Sequence, residues 1–593
     1  MRFLPRLQLS PPRFQAVSTR INTVMIVLMS IAFVSLVLEY GFYFTDSWDN
    51  LFQLVDVTVL LFFMLQQVVK LLIAPHRRHY LSERRMEYLL TAFLLLAAVL
   101  YPVAQSYYHG ISEQWRPGSL SSVYIIVAQT IILLDILFGA VRYSRRLATQ
   151  RIQPARLFIG SFVAVILVGT LALLLPRSTV DGITVVDALF TSASAVCVTG
   201  LIVVDTGTAF TPFGQTILLL LIQVGGLGLM TFTTFFTLFS GRLSIKERVL
   251  MQEFLNRESL GQVRGTLKNI VLLTLVIEAI GAVLLYYSWG DVAFTSERAK
   301  VFSSVFHSVS SFCNAGFSLF TDNLAVSGAA MNVRLNLIIA SMIVLGGLGF
   351  IAIVNLMNAR PWGRPSNRLR YRLTAHTRLV LISTAVLIVV GAVLTYALEY
   401  NNALAGLNAG DKILASVFQS ITTRTAGFNT IDISTMAVPA SLIFIVLMFI
   451  GASPGSTGGG IKTTTASLVF LSAVNYVREK QSVEIGHRRV LSASVERAYA
   501  ALLFGLALIV LSVFLLTLFE PFPLLDIVFE CFSAAATVGL SRGITFALSD
   551  ASKIVLIFTM LIGRVGTLTM MMALTRPAVL SRHDYPSEQI IVG

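Results

Sequence analysis

Apolar runs of about 20 residues recur along the chain and constrain its fold more than any other feature. An α-helix needs about this length to cross the hydrocarbon core of a bilayer. Of the 593 residues, 55% are hydrophobic and only 12% are charged, unlike soluble domains. We therefore predict an all-α polytopic membrane protein with twelve spans. They cover 21–40, 51–74, 86–105, 120–141, 156–175, 213–239, 268–288, 331–354, 376–398, 437–475, 496–519 and 552–574.

The basic residues predict how these spans are oriented. Lys and Arg are concentrated in alternate loops, such as 142–156, 242–268, 360–378 and 478–489, and are sparse in the loops between them. Since basic loops stay on the cytoplasmic side, we predict that both termini are cytoplasmic. The net charge of +14 is spread over these loops rather than gathered on one surface, which argues against nucleic-acid binding.

Four shorter semi-apolar segments lie between alternate spans from residue 156 onward, and each ends in a glycine tripeptide. At about a dozen residues they are too short to cross the membrane, so we predict re-entrant helices. The glycines are separated by 116, 111 and 112 residues, which indicates a fourfold repeat of span, re-entrant helix and span. The segments read VTGL at 198–201, NAGF at 314–317, TAGF at 425–428 and TVGL at 537–540.

These tripeptides suit a binding site for a dehydrated alkali cation. A helix that ends halfway across the membrane directs its partial negative charge toward the membrane centre. Glycine permits backbone angles that turn carbonyls toward an axis, and carbonyl rings replace an ion's hydration shell in channel filters. We predict that the filter comprises Val198, Thr199, Gly200, Asn314, Ala315, Gly316, Thr425, Ala426, Gly427, Thr537, Val538 and Gly539.

The four segments resemble those of the TrkH/KtrB/HKT superfamily of potassium transporters, especially its KtrB-like bacterial branch, over residues 155–575. The resemblance implies four span, pore-helix and span units around one pore, in a bacterial cytoplasmic membrane. Gly200 at the first filter implies potassium as the transported ion, with sodium open as a coupling or activating ion. The resemblance also implies a homodimer and a cytosolic nucleotide-binding regulatory subunit of the TrkA/KtrA type.

The repeats predict five segments of chain. An N-terminal four-helix membrane extension occupies 1–150, and pore repeats occupy 151–255, 256–370, 371–490 and 491–593, the last with the C-terminal tail. In the extension, the fourth span carries arginines only at its cytoplasmic end. This pattern favours an accessory or docking bundle over a voltage sensor.

The second spans of the repeats share a glycine motif. GGLG at 225–228 and at 346–349 aligns with GRVG at 563–566, so that Arg564 stands where a glycine is repeated. Close helix packing is the simpler interpretation of the two GGLG copies. In the third repeat GASPGSTGGGIKT, at 451–463, predicts a broken helix that resembles the family's intramembrane gate. The predicted gating residues are Gly451, Gly455, Gly458, Gly459, Gly460, Lys462 and Arg564.

Arg564 follows its filter glycine by about 25 residues, on a span whose counterparts line the same axis. We therefore predict that it faces the pore and donates hydrogen bonds to the 451–463 loop, which it would hold across the path. The alternative is a structural arginine that pairs with a buried acid or extends to the interface.

Other polar residues have less specific patterns. Arg424 is predicted to lie behind the filter and to brace it through hydrogen bonds, because a cation in the ring would repel the substrate. Three acids lie within predicted spans and suit either function or pairing between helices: Asp56, Asp135 and Glu278. His307 and His376 have no ligand-spaced neighbour and are predicted to be structural or loop residues. Asp187 and Asp526 are predicted N-caps of short helices.

Two transport functions remain open from the sequence. A potassium-conducting subunit is favoured, and the alternative is a sodium-permeable or sodium-coupled transporter on the same scaffold. Channel-like and ion-coupled flux both fit these residues. An enzyme is not predicted, because no nucleophile and base pair, metal cluster or phosphate-binding loop occurs, and the 451–463 segment lacks the GxxxxGK[ST] spacing.

Overall fold

The computed structural model describes residues 10–43, 46–75, 154–239, 263–326, 328–358, 373–480, 482–485 and 488–574. The chain divides into two compact units. One contains Met1–Arg151 with Leu175–Arg177, and the other contains Ile152–Leu174 with Ser178–Gly593. The boundaries predicted between the four repeats stay predictions.

Two long helices are described in the first unit. Helices α1 (Pro11–Gly41) and α2 (Asp46–Ile73) pack against each other. They contain the predicted span 21–40 and all but the last residue of the predicted span 51–74, whereas the predicted spans 86–105 and 120–141 lie outside the described residues. In α2 the buried Lys70 ammonium donates a hydrogen bond to Gln66 Oε1 at 3.0 Å, one helical turn away.

The helices of the second unit follow a recurring order of long helix, short helix and further helix. They are α3 (Pro154–Leu173), α4 (Val185–Val196), α5 (Pro212–Phe239), α6 (Val263–Tyr286), α7 (Glu297–Cys313), α8 (Val333–Leu348), α9 (Phe350–Asn358), α10 (Ala375–Glu399), α11 (Ala409–Thr422), α12 (Val438–Phe449), α13 (Thr463–Val477), α14 (Ser492–Phe519), α15 (Leu524–Ala536), α16 (Asp550–Val565) and α17 (Thr567–Leu574). A short hairpin, β1 (Glu484–Ile485) and β2 (Arg488–Arg489), precedes α14.

Several helices of this unit are long and apolar enough to cross a membrane. Within the described ranges three meet this test alone: α6 over Asn269–Tyr286, α10 and α14. The number rises to five if α8 with α9, and α16 with α17, are each counted as one bent span. All five coincide with spans predicted from the sequence, which supports a multi-pass membrane protein.

Two of these spans are sharply bent, which the prediction of continuous helices at 331–354 and 552–574 missed. The bend is 100° between α8 and α9 and 98° between α16 and α17. It occurs at Gly349, with φ +85°, and at Gly566, with φ +92°. Both are the last glycine of the aligned GGLG and GRVG motifs, and a positive φ cannot continue a right-handed helix. In the third predicted repeat, α12 ends at Phe449 and α13 begins at Thr463, within the segment predicted to break.

The predicted N-caps of two short helices are wrong. Asp187 is the third residue of α4, and Thr184 is the N-cap whose Oγ1 accepts from the Asp187 backbone N–H at 3.1 Å. Asp526 is likewise the third residue of α15, after Pro523. A carboxylate in the first turn still favours the helix through its dipole. Asp526 also accepts a hydrogen bond from Arg542 Nε at 2.6 Å.

Serine and glycine hold three short helices against the long helices before them. In each case the serine hydroxyl donates to a carbonyl of the long helix, and the glycine lies three residues after that carbonyl. The bonds are Ser192 to Ile166 O at 2.7 Å, Ser308 to Glu278 O at 2.6 Å and Ser420 to Ile388 O at 2.8 Å. A Cβ added at Gly169, Gly281 or Gly391 would overlap the respective serine Oγ. The absence of a side chain therefore sets the close approach of these helices.

This packing predicts a site-specific loss of stability. Gly391→Val would place its Cβ on Ser420 Oγ and 2.8 Å from Leu447 Cδ1. Overpacking of this kind costs about 1–3 kcal/mol, so the apparent Tm of the purified protein should fall by several degrees. Gly406→Val is the control, because no atom lies within 4 Å of a Cβ at that position. Equal Tm shifts for the two variants would contradict the packing argument.

Candidate functional site

The four glycine tripeptides share an unusual backbone conformation. The first residue of each is left-handed: Val198 (φ +55°), Asn314 (φ +59°), Thr425 (φ +74°) and Thr537 (φ +51°). The glycine of each also has a positive φ: Gly200 (+91°), Gly316 (+69°), Gly427 (+81°) and Gly539 (+92°). Such angles are rare for residues with side chains, and glycine, which adopts them without strain, occupies the third position in all four tripeptides.

The tripeptides lie together in a closed ring, in chain order. A Cβ added to Gly200 would overlap the carbonyl oxygen of Ala315, and one added to Gly316 would approach that of Ala426. The two remaining contacts complete the circle: Gly427 approaches the Val538 carbonyl, and Gly539 approaches the Thr199 carbonyl. The structure therefore brings together all four predicted tripeptides, from four distant parts of the chain.

Serines of the short helices support this ring and were not identified from the sequence. The Gly200 backbone N–H donates to Ser194 Oγ at 3.1 Å, and the Gly539 N–H donates to Ser533 Oγ at 3.1 Å. In the second predicted repeat Ser310 Oγ donates to the Phe317 carbonyl at 2.8 Å. Each serine stands six residues before its glycine, a regularity visible in the sequence. In the third predicted repeat Ile421 occupies this position.

Arg424, in the third predicted repeat, is buried. Its Nη2 donates to Thr384 Oγ1 of α10 at 3.5 Å, and its Nε has no partner among the described residues. The guanidinium therefore contacts the long helix before the short one. The bracing role predicted for it stays a prediction.

The loop between α12 and α13 packs against the α8 end and closes on itself. The Gly451 N–H donates to the Ile461 carbonyl at 2.9 Å. The N–H groups of Ser453 and Thr457 donate to the carbonyls of Gly347 and Gly346, at 3.0 and 3.2 Å. The Gly455 carbonyl accepts from the Phe350 N–H at 2.9 Å. These bonds fix an irregular segment whose polar backbone would otherwise be unsatisfied in a membrane.

This loop lies directly against the first residues of two tripeptides. A Cβ added to Gly458 would overlap Thr425 Oγ1, and one added to Gly459 would overlap Thr537 Oγ1. Gly460 lies beside Gly451 of the same loop, whose Cα would be 3.2 Å from a Cβ added at Gly460. The run of glycines therefore allows the loop to sit at the end of the ring where the short helices terminate.

Two cationic side chains meet this loop. The Arg564 guanidinium, only 2% exposed, donates from Nη1 to the Thr457 carbonyl and from Nη2 to the Gly225 carbonyl, the latter at 2.6 Å. Lys462 Nζ donates to the Gly458 carbonyl at 2.6 Å and lies 3.4 Å from the Gly459 carbonyl. In the described parts of the chain neither cation forms an ion pair with a carboxylate.

The remaining polar candidates have local partners or are not described. Glu278 Oε1 lies 3.7 Å from Cys313 Sγ, at the end of α7. His307 bonds to Ser303 O at 2.8 Å and to Ser318 Oγ at 3.0 Å, and is structural as predicted.

His376 lies in the first turn of α10, and Asp56 lies in α2. Asp135 lies outside the described residues.

The arrangement is suited to hold a bare cation by backbone oxygens. No group of three or more His, Cys, Asp or Glu side chains with metal-binding geometry occurs where the structure is described. The ring instead brings together backbone carbonyl oxygens, which are hydrogen-bond and cation acceptors. In channel filters such carbonyl oxygens replace an ion's water shell.

The profile of the TrkH family, described as a cation transport protein, matches residues 126–579. The chain belongs to the TrkH family. It is 38% identical to the Ktr system potassium uptake protein B of Bacillus subtilis over 452 residues, which cover 75% of this chain and 97% of that protein. It is 34% identical to the potassium/sodium uptake protein NtpJ of Enterococcus hirae over 457 residues, covering 75% and 98%.

The fold is also that of a solved TrkH structure. The crystal structure of the potassium transporter TrkH from Vibrio parahaemolyticus matches with a TM-score of 0.59 and 18% identity, over 82% of this chain and 97% of that one. The predicted resemblance, including its KtrB-like branch, is confirmed. This TrkH-family chain is a membrane transport protein and not an enzyme.

The ring predicts a specific effect of Gly200→Ser on this TrkH-family protein. The added Cβ would overlap the Ala315 carbonyl oxygen, at a residue with φ +91°. Displacing that oxygen should lower the potassium-over-sodium uptake ratio by about tenfold in proteoliposomes. Gly182→Ser is the matched control, because φ is +85° there and no atom lies within 4 Å of the added Cβ. An unchanged ratio for Gly200→Ser would show that this residue does not shape the filter.

Proposed function

We propose that the chain takes up potassium across the bacterial cytoplasmic membrane through one pore enclosed by its four units. The closed ring of four glycine tripeptides carries this proposal, since each glycine lies against the carbonyl of the next unit. The 38% identical relative from B. subtilis is named a potassium uptake protein, which supports the choice of ion. Gly200 is the residue in the first tripeptide that the family resemblance associates with potassium.

The short helices would stabilise the ion in this pore. Helices α4, α7, α11 and α15 each end one to three residues before a tripeptide. Their C-terminal partial charges are negative and would add to the field of the carbonyls. A dehydrated potassium ion would thus exchange its water ligands for fixed backbone oxygens, and no charged side chain would be needed to bind it.

The loop from Gly451 to Thr463 is the proposed gate. It contacts Thr425 and Thr537 at the end of the ring, and Arg564 ties it to α5 through the Thr457 and Gly225 carbonyls. An unshielded guanidinium about 8 Å from a potassium ion raises the ion's energy by ~2 kcal/mol at an effective dielectric near 20. The closed path therefore combines a steric block with repulsion by Arg564, to which Lys462 adds.

We also propose the surroundings of this pore, on the basis of the basic loops and the family resemblance. We place both termini and the basic loops on the cytoplasmic side, and the exposed apolar helix faces toward lipid. A homodimer and a cytosolic nucleotide-binding subunit of the TrkA/KtrA type complete the proposed assembly, with the basic loops as the docking charge. The four-repeat pore architecture and the N-terminal four-helix extension are parts of this proposal.

Sodium transport is the second candidate. One relative, at 34% identity, is named a potassium/sodium uptake protein. A carbonyl ring discriminates the two ions by small differences in oxygen number and field strength, so one scaffold can serve either. Sodium would then act as a permeant, coupling or activating ion.

Ion flux into proteoliposomes tests the proposed function. Purified protein should carry rubidium, as a potassium substitute, at a rate that excess sodium reduces by less than excess potassium does. Repeating the assay with and without a sodium gradient distinguishes uncoupled flux from coupling. Sodium uptake without rubidium uptake would contradict the potassium function and support sodium transport. The absence of flux of either ion would contradict both functions.

The gate predicts that two changes act on one latch. Arg564→Ala removes the bonds to Thr457 and Gly225, and deletion of Gly458–Gly460 removes the contacts with the ring. Each should raise rubidium flux per molecule by about tenfold or more, because either change releases the loop from across the path. Combining them should add little, because both release the same element.

Arg542→Ala is the control for this experiment. Arg542 also bonds to backbone carbonyls, those of Ser434 and Met436, but not to the loop. Its flux should stay at the wild-type rate when normalised to monodisperse protein. Wild-type flux in Arg564→Ala, or additive gains in the double variant, would contradict the latch.

A further inference from the structure

The turn after the second tripeptide contacts the third predicted repeat. Within it Asn323 has a left-handed backbone, with φ +56°, and its N–H donates to the Phe320 carbonyl at 3.0 Å. The next residue, Leu324, donates its N–H to the Asn429 carbonyl at 3.2 Å, just beyond the third tripeptide. Asparagine is among the few residues that tolerate this conformation, so the turn presents its side chain in a fixed direction.

That side chain contacts two glycines of the ring. Asn323 Nδ2 donates to the Gly316 carbonyl at 3.2 Å and lies 3.5 Å from the Gly427 carbonyl. Oδ1 is buried and has no partner among the described residues. The reverse amide orientation would place Oδ1 against two carbonyl oxygens, so the donors must face the ring.

This contact exists in one unit and breaks the fourfold regularity of the ring. Asn323 stands seven residues after its glycine. At the same spacing the other units have Gly207, Ser434 and Phe546, none of which carries an amide. The bond therefore cannot be a general requirement for forming a tripeptide ring.

We propose that Asn323 is a positioning residue that sets ion selectivity by holding the Gly316 and Gly427 carbonyls through its amide. The inference rests on the proposed potassium function of the ring. An N–H bond occupies one lone pair of each oxygen, weakens the field that the oxygen offers an ion, and restrains the two oxygens from closing inward. A weaker and wider oxygen cage favours the larger ion, which is potassium over sodium.

Two substitutions remove the donor while keeping the backbone conformation. Asn323→Gly deletes the amide at a left-handed position where glycine is unstrained. Asn323→Asp keeps the shape and replaces the donor by a negative charge, which strengthens the field at the ring. Each should lower the potassium-over-sodium uptake ratio by about fivefold to tenfold, the size expected from one lost hydrogen bond.

Asn429→Ala is the matched control. Its amide lies at the same end of the third tripeptide but donates to the Ile431 carbonyl at 3.0 Å rather than to a ring glycine. This variant should keep the wild-type ratio. All variants are compared as monodisperse protein in proteoliposomes, with rubidium uptake measured against competing sodium and the KM for each ion determined.

The outcomes separate this inference from the proposed function. Wild-type protein that carries no rubidium contradicts the proposed function itself. A selective wild type whose ratio is unchanged in Asn323→Gly, or one that loses selectivity equally in Asn429→Ala, overturns the role of Asn323. A merely structural role would lower yield or maximal rate while leaving the ratio intact, and that result also counts against the inference.

Discussion

The close approach of four backbone segments around one axis is the constraint on which the rest of this structure depends. At each ring glycine a single added carbon would overlap, or closely approach, a carbonyl oxygen of the neighbouring unit. The neighbouring segments can therefore approach this closely because the third positions lack a side chain and adopt a positive φ. Because its members come from positions 200, 316, 427 and 539, the ring also requires that the surrounding helices bring the four units into register.

The helices meet this requirement by close contacts that leave little freedom. Serine hydroxyls of three short helices bond to carbonyls of the long helices before them, where glycines admit the contact. In a membrane, where apolar burial does not drive helices together, such small-residue contacts and hydrogen bonds account for much of the association. At the end of the ring where the short helices terminate, Arg564 is bonded to both the loop and α5, which holds the proposed gate beside the proposed filter.

The sequence predicted those features that repeat or that violate a local rule. The tripeptides were found because four copies recur at a regular spacing, and the break after Phe449 because glycine, serine and proline cannot continue a helix. The bends at Gly349 and Gly566 were missed, since the glycine motifs that contain them are equally compatible with close packing of a straight helix. Asn323 was missed for a different reason: its partners are defined only once units two and three are adjacent in space.

The central claim, that the glycine ring holds dehydrated potassium, is tested most directly by locating the ion. Crystals of the protein grown with rubidium in place of potassium would be measured at the rubidium absorption edge. The account predicts anomalous density on the axis enclosed by Gly200, Gly316, Gly427 and Gly539, within contact distance of the surrounding carbonyl oxygens. Well-ordered rubidium sites elsewhere in the protein, with no density inside the ring, would contradict it.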